Sequence, residues 1–175
     1  MSARACPFRG HTERLALLAA AVLIGIDQLL KVIVLNTVAL TTTIPVIKIG
    51  GREVLNLTYF ENTGAAFSIL QDKRWFLALF TGLLLAALVV ILLLRKIKDP
   101  VVVWMVAVIF AGGAGNWIDR IARGFVIDYI DLRIINFAVF NFADICVVCG
   151  TILVALRVIV TDLRKEKKTA ENGDA

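Results

Sequence analysis

Four long apolar segments constrain this chain more than any other feature of its sequence. They cover roughly residues 15–35, 75–94, 101–121 and 140–160, and the second contains no charged residue. A membrane-spanning helix needs about 20 mostly apolar residues. With 59% hydrophobic residues, the chain also exceeds the roughly 45–50% typical of soluble domains. The sequence therefore predicts an α-helical polytopic membrane protein with four transmembrane helices, forming one membrane domain over residues 15–160.

The first apolar segment could be mistaken for a cleavable signal sequence, because arginines precede it. The apolar run continues through Asp27 and Lys31, however, without a small-residue cleavage site. We interpret it as a retained membrane helix that follows a short N-terminal tail, residues 1–14.

The distribution of Lys and Arg outside the spans predicts the orientation. One side carries three in the N-terminal tail, three between the second and third spans, and four in the C-terminal tail; the two longer loops opposite carry six. Cytoplasmic loops hold the excess of basic residues, so we expect both termini in the cytoplasm. The polar tail 161–175 shows no apolar periodicity and is expected to be disordered.

The outer loop 36–74 contains a strand pattern. Residues 46–49 and 54–60 are rich in β-branched, aliphatic and aromatic side chains, and Gly50 and Gly51 lie between them. This arrangement predicts a β-hairpin, which we expect on the outer membrane surface. Residues 62–67 are expected to form a turn that leads to the second span.

Composition excludes several kinds of chemistry. A single histidine, His11, lies in the predicted cytoplasmic tail, which argues against a Ser-His triad and against a histidine metal site. A Ser68–Lys73 pairing is weakly supported by its spacing, and Cys146 and Cys149 are expected to be small buried groups on a membrane helix. The net charge of +5 comes from clusters beside the spans, so we expect no nucleic-acid partner.

Carboxylates lie at one membrane depth. A charge deep in a bilayer costs at least about 2.5–3.5 kcal/mol, yet on the predicted topology Asp27, Asp128 and Asp144 all fall near the outer face. Two carboxyl groups in a partly desolvated site share a proton and activate water without a metal or a serine. Asp128 and Asp144 are the best candidates for such a pair. The alternative is that each caps a helix or pairs with Arg120 or Arg133.

Other polar residues near this depth have open roles. Asp27 and Lys31 are four residues apart, so they form either a local ion pair or part of the site. Arg120 could bind a carbonyl-rich substrate or hold an aspartate. The asparagines could anchor loops or hold an extended substrate; they are Asn62, Asn116 and Asn141. The small residues 111–115 would let another helix approach the third span closely.

Five motifs, in order along the chain, resemble those of bacterial lipoprotein signal peptidase, also called signal peptidase II. They are Asp-Gln-Leu-Leu-Lys at 27–31, Phe-Glu-Asn-Thr-Gly-Ala-Ala-Phe at 60–67, Gly-Asn-Trp-Ile-Asp-Arg at 115–120, Gly-Phe-Val-Ile-Asp-Tyr-Ile-Asp at 124–131, and Phe-Asn-Phe-Ala-Asp at 140–144. Each motif alone is weak, but the ordered set is specific.

The resemblance implies a membrane-embedded aspartic endopeptidase. Such an enzyme removes the signal peptide from diacylglyceryl-modified prolipoproteins and cleaves just before the lipidated cysteine. Asp128 and Asp144 would be the catalytic pair, with no metal or other cofactor. Positions that would bind substrate or support the site are Asp27, Lys31, Asn62, Gly115, Asn116, Asp119, Arg120, Asn141 and Ala143.

The resemblance also implies a fold and a location. The expected fold is four helices with a small outer β-cradle, in the bacterial cytoplasmic (inner) membrane. The active site would lie near the outer, periplasmic face, in contact with prolipoprotein substrates and membrane lipid. If the short, mostly apolar stretch 132–139 shapes the substrate entrance, substrate preferences would differ from those of relatives.

Two other functions are compatible with intramembrane carboxylates. A proton-coupled or ion-conducting protein would need titratable groups through the full membrane depth, whereas the inner halves of the second, third and fourth spans lack carboxylates. A noncatalytic membrane assembly factor would tolerate Asp128→Asn.

Overall fold

Four helices form the body of the protein. The computed structural model describes residues 9–64, 70, 73–135 and 137–173. The helices in this part of the chain are α1 (Arg9–Thr37), α2 (Arg74–Leu93), α3 (Pro100–Ala122) and α4 (Phe142–Gly173). Each contains a stretch long and apolar enough to cross a membrane, which confirms the four predicted spans.

Helix α3 is central and contacts the other three helices. Small side chains permit this packing: a Cβ on Gly112 would overlap the carbonyl oxygen of Ala143 in α4, and a Cβ on Gly115 would overlap the carboxylate of Asp27 in α1. The predicted role of residues 111–115 in close helix approach is therefore confirmed. Large apolar side chains such as Leu79 are exposed on the outside, as expected for a lipid-facing surface.

A three-stranded antiparallel sheet lies beside the helix ends. Its strands are β1 (Thr43–Ile49), β2 (Arg52–Asn62) and β3 (Val126–Leu132), in the order β1-β2-β3. Gly50 and Gly51 have φ values of 57° and 78°, the left-handed conformations that a tight hairpin turn requires. The predicted hairpin is confirmed, and β3 adds a strand that the sequence pattern did not indicate. The predicted turn 62–67 lies partly outside the described residues.

The sheet packs against α1 through its own small core. Val34, near the end of α1, and Val38, just after it, form one buried cluster with Tyr59, Ile127 and Tyr129. Strand β3 contacts both α1 and α3, and most of its residues are buried. The segment after β3 makes a short 3₁₀ turn, Arg133–Ile135, and an isolated bridge joins Ile130 to Phe140.

The polar C-terminal segment differs from expectation. Residues 161–173 are not disordered but continue α4 as far as Gly173. No proline or glycine interrupts the sequence after Gly150 until Gly173, and the Lys165 ammonium lies 3.0 Å from the Asp162 carboxylate one turn away. Similarly, α1 begins at Arg9, inside the expected tail. The remaining tail residues, 1–8 and 174–175, lie outside the described residues.

Candidate active site

Asp128 lies in the middle of β3 and is almost completely buried. Its Oδ1 accepts a hydrogen bond from Asn141 Nδ2 at 2.6 Å, and its Oδ2 accepts one from Asn62 Nδ2 at 2.9 Å. Burial, and then the nearby charge of Asp144, raise the pKa of Asp128 to about 7. The two asparagine hydrogen bonds and the charge of Lys31 act in the opposite direction. The carboxyl group therefore titrates near neutral pH.

Asp144 lies in the first turn of α4. Its Oδ2 accepts a hydrogen bond from the backbone N–H of Asn141 at 3.0 Å, and its own N–H donates to Asn141 Oδ1 at 3.0 Å. This reciprocal pair of hydrogen bonds is a capping box. The alternative that Asp144 caps a helix is therefore correct for one of its two carboxylate oxygens, Oδ2. The other oxygen, Oδ1, accepts from Asn116 Nδ2 at 2.8 Å. Asp144 therefore both caps its helix and faces the site.

Asn141 joins the two carboxylates. Its Nδ2 group donates to Asp128, while its backbone and Oδ1 bond Asp144. The side chain is completely buried, so its position is fixed by these partners. Asn141 thereby links two carboxylates that lie sixteen residues apart in the sequence.

Both carboxylates line one cavity of about 940 Å³. The other polar groups at its wall include Asn62, Asn116 and Arg120, whereas most of the lining is apolar and comes from α2, α3, α4 and residues 132–140. The cavity runs from the start of α4 to Cys149, more than one turn deeper in the helix. A cavity of this composition can hold an apolar ligand with one polar reacting group next to the carboxylates.

A buried ionic cluster lies behind the cavity. Lys31 has no solvent exposure, and its ammonium contacts Asp27 at 2.9 Å and Asp119 at 2.8 Å. Arg123 pairs with the other oxygen of Asp119, and Gln28 donates to both aspartates. The predicted Asp27–Lys31 ion pair is thus present, but as one half of a cluster that ties α1 to α3.

The remaining predicted site residues surround the pair. Arg120 donates to the backbone carbonyl of Gly64 at 3.0 Å, and no ion pair links it to a carboxylate in the described part of the chain. The backbone N–H of Ala143 donates to Asp27 Oδ1 at 3.2 Å. Arg133, the other arginine considered as a partner of Asp128 or Asp144, pairs with Asp131 at 2.7 Å. Asp131 does not line the cavity.

The sequence analysis did not identify three residues of the hydrogen-bond and ion-pair network around the site. Arg123 follows Asp119 by four residues, a spacing that predicts a helical ion pair and could have identified it. Gln28 is adjacent to Asp27 in the sequence, but nothing in the pattern marks its contact with α3. Tyr129 accepts a hydrogen bond on its hydroxyl from the N–H of Phe142 at 3.3 Å, a contact that depends on the unpredicted strand β3.

A four-helix membrane protein that buries two hydrogen-bonded carboxylates at the wall of an apolar cavity has the architecture of a membrane-embedded aspartic peptidase. Comparisons with known proteins identify the family. The family described as signal peptidase (SPase) II matches residues 19–160. The chain belongs to this family. It is a multi-pass bacterial membrane peptidase of the aspartic class.

Individual relatives agree with this assignment. A lipoprotein signal peptidase of Clostridioides difficile (strain 630) is 41% identical over 146 residues, covering 83% of this chain and 95% of the relative. One from Brevibacillus brevis is 35% identical over 143 residues, covering 82% and 93%. A solved bacterial membrane enzyme structure superimposes with a TM-score of 0.76 and 32% identity, covering 86% of this chain and 91% of that one.

Proposed function

We propose that this protein removes signal peptides from diacylglyceryl-modified prolipoproteins, cleaving just before the lipidated cysteine, with water activated by Asp128 and Asp144. The observation that carries the proposal is the joining of the two carboxylates through Asn141 at the wall of one apolar cavity. Relatives over most of the chain bear the name lipoprotein signal peptidase, which supports the substrate class.

The charges of the buried groups support a shared proton. Asp27 and Asp119 are matched by Lys31 and Arg123. Arg120 then remains as the cation beside Asp128 and Asp144, all three lining the cavity. An uncompensated buried charge is costly, so the pair is balanced when it holds one proton. The pKa of about 7 for Asp128 agrees with one protonated and one ionised carboxyl near neutral pH.

This protonation state suits peptide hydrolysis. The ionised carboxylate takes a proton from water as the water oxygen bonds to the scissile carbonyl carbon, while the protonated partner donates to the carbonyl oxygen. A proton then passes to the leaving nitrogen, and the C–N bond breaks. The products are the free carboxylate of the signal peptide and the free amine of the lipidated cysteine. No metal or other cofactor has a part in these steps.

The location follows from the helix ends. Asp128 and Asp144 lie after the C-terminal end of α3 and at the start of α4, and the basic residues outside the spans favour cytoplasmic termini. The site would then lie near the periplasmic face of the cytoplasmic membrane. A diacylglyceryl group anchored in the outer leaflet would place the scissile bond at the depth of the carboxylates, while the apolar cavity accommodates lipid or signal-peptide side chains.

The remaining residues would support the site rather than react. Asn62, Asn116 and Asn141 hold the carboxylates through hydrogen bonds. Gly115 and Ala143 allow the close contact of α1, α3 and α4 around Asp27. We place this whole arrangement in one membrane domain, residues 15–160, with membrane lipid around it and no nucleic-acid partner.

The deciding experiment measures conversion of a diacylglyceryl-modified prolipoprotein by the purified protein in detergent. Wild type is compared with Asp128→Asn and Asp144→Asn, and an unmodified precursor serves as the substrate control. We expect cleavage only by wild type and only of the lipidated precursor, with both variants folded. A well-folded wild type that cleaves nothing would overturn the proposal, and a proton-flux assay would then test the ion-conducting alternative.

A further inference from the structure

The side-chain amide of Asn116 has a defined orientation. Its oxygen accepts hydrogen bonds from Lys31 Nζ at 2.9 Å and from Asn141 Nδ2 at 3.1 Å. Its nitrogen donates to Asp144 Oδ1 at 2.8 Å. Because an amide has an acceptor at one end and donors at the other, the group that faces the oxygen decides whether Asp144 receives a donor.

Lys31 is the stronger of the two groups that face this oxygen. An ammonium carries three protons and cannot accept a hydrogen bond. Its three partners are Asp27 Oδ2 at 2.9 Å, Asp119 Oδ2 at 2.8 Å and Asn116 Oδ1 at 2.9 Å. Every proton therefore has an acceptor, and a flipped amide would present N–H groups to a buried cation.

Asn141 alone fixes the amide poorly. Its Nδ2 has two protons but three acceptors within reach: Asp128 Oδ1 at 2.6 Å, Asn116 Oδ1 at 3.1 Å and the carbonyl of Ile127 at 3.3 Å. The shortest contact is with Asp128, so Asn116 and Ile127 compete for the second proton of Asn141 Nδ2. Lys31, by contrast, has one proton for each of its three acceptors and can donate fully to Asn116.

We propose that Lys31 is a positioning residue for the reaction: it orients the Asn116 amide so that the amide donates to Asp144, and it places a positive charge behind the carboxylate pair. This inference rests on the proposed function, in which Asp128 and Asp144 react. Lys31 itself does not line the cavity and acts through Asn116, which does.

The charged groups around Lys31 set the expected pH effect. Asp27 faces it from α1, Asp119 from α3 with Arg123 on the far side, and Asp128 and Asp144 lie beyond Asn116 with Arg120 beside them. Removing the ammonium leaves Asp27 and Asp119 with one matching cation instead of two. The added negative charge disfavours ionisation of the carboxylate pair, so the acid limb of the pH–rate profile moves to higher pH.

The test compares Lys31→Met with Arg123→Met. Both remove one positive charge from the same cluster, but Arg123 contacts Asp119 and Gln28 and not Asn116. We expect Lys31→Met to lower kcat by about 10- to 100-fold, the scale of one lost hydrogen bond to a charged group, with KM little changed and the acid limb at higher pH. Arg123→Met should lower Tm but leave kcat much closer to wild type.

A double-mutant cycle separates positioning from stability. If Lys31 orients Asn116, then Lys31→Met combined with Asn116→Ala should lower kcat on the plateau of the pH–rate profile no further than Asn116→Ala alone. Comparing plateau values removes the separate effect of the Lys31 charge on the position of the acid limb. Additive losses would overturn the inference, as would a Lys31→Met variant with wild-type kcat and pH profile. If Lys31→Met does not fold, the double variant Lys31→Met, Asp27→Asn takes its place in the cycle, because it removes one positive and one negative charge together. We expect this variant to show the same loss of kcat.

The outcomes separate this inference from the proposed function. If Asp128→Asn and Asp144→Asn still cleave, the proposed function fails. If both are inactive while Lys31→Met and Arg123→Met behave alike in kcat and pH profile, only the positioning role fails.

Discussion

Asn62 donates its Nδ2 proton to Asp128 Oδ2 across 2.9 Å, on the side opposite Asn141. The same side chain accepts the backbone N–H of Gly64 on its Oδ1 at 2.9 Å, and Arg120 donates to the carbonyl of Gly64 at 3.0 Å. One asparagine thus links the carboxyl group of Asp128 to the turn that leaves β2.

Replacing Asn62 should change the pH dependence of cleavage. A hydrogen bond to the ionised carboxylate lowers its pKa, so Asn62→Ala should raise the pKa of Asp128 above its value of about 7. Because the charge of Asp144 already acts when Asp128 titrates, this pKa marks the loss of the last proton that the pair shares. We expect the alkaline limb of the kcat profile to move up by about one pH unit. Steady-state rates between pH 5 and 9 measure the shift.

The matched control for Asn62 is Asn56→Ala. Asn56 is also a buried asparagine of β2, but it donates to Glu53 at 2.8 Å instead of to Asp128. Its replacement should lower Tm without moving the profile. An unchanged alkaline limb in Asn62→Ala would contradict the assigned role.

Close packing around Asp27 predicts a steric effect at Gly115. A methyl group there would overlap Asp27 Oδ2 and lie 3.0 Å from Asp27 Cγ, in a cluster that cannot move without breaking the Lys31 contacts. We expect Gly115→Ala to destabilise the protein by about 1–3 kcal/mol and to reduce kcat. Thermal unfolding in detergent measures the first effect.

Gly25→Ala is the control for this substitution. Gly25 also lies in a membrane helix, but nothing lies within 4 Å of the position its Cβ would occupy. The alanine should therefore be neutral or slightly stabilising. Equal Tm values for the two variants would show that the contact at Gly115 relaxes at little cost.

Sequence patterns predicted the spans and the hairpin, because both depend on local features: apolar length in one case and a Gly-Gly turn in the other. Strand β3 was missed because four consecutive residues from Val126 to Tyr129 are buried, which removes the alternation by which strands are identified. The continuation of α4 to Gly173 was missed because a polar helix lacks an apolar face.

The sequence predicted contacts within one helix of the site but not contacts between elements. Asp27 and Lys31 are four residues apart, so their pairing could be read from spacing, whereas the approach of Asp119 from α3 depends on tertiary packing. The double use of Asp144, as helix cap and as site carboxylate, follows only when Asn116 is seen beside it. Capping the helix and facing the cavity are therefore not exclusive for Asp144.

At the opposite end of the bundle, Asp99 predicts an effect on stability without an effect on catalysis. Its Oδ1 caps α3 by accepting the N–H of Val101 at 2.9 Å, and its Oδ2 pairs with Arg157 Nε of α4 at 2.7 Å. Asp99→Ala should cost about 1 kcal/mol and lower Tm, while kcat stays at the wild-type value because the site is at the other end of α3.

The pH dependence of this effect has a defined sign. The hydrogen bond from Arg157 holds the pKa of Asp99 below its usual value, so its contribution is complete above the unfolded-state pKa of about 4 and is lost as the pH falls further. The Tm difference between wild type and Asp99→Ala should narrow below about pH 4. A difference that stays constant with pH would contradict the lowered pKa of Asp99.

Cys149 gives a direct test of where the substrate lies. It is exposed at the wall of the cavity, whereas Cys146, one turn earlier, is buried. In a Cys6→Ser, Cys146→Ala background, a membrane-permeable maleimide should label Cys149. A bound, uncleaved lipidated peptide should slow that labelling because it fills the cavity.

The control is Leu156→Cys combined with Cys149→Ala in the same background, since Leu156 is exposed on α4 but absent from the cavity lining. Protection at both positions would indicate general shielding by the peptide, and protection at neither would place the substrate outside the cavity.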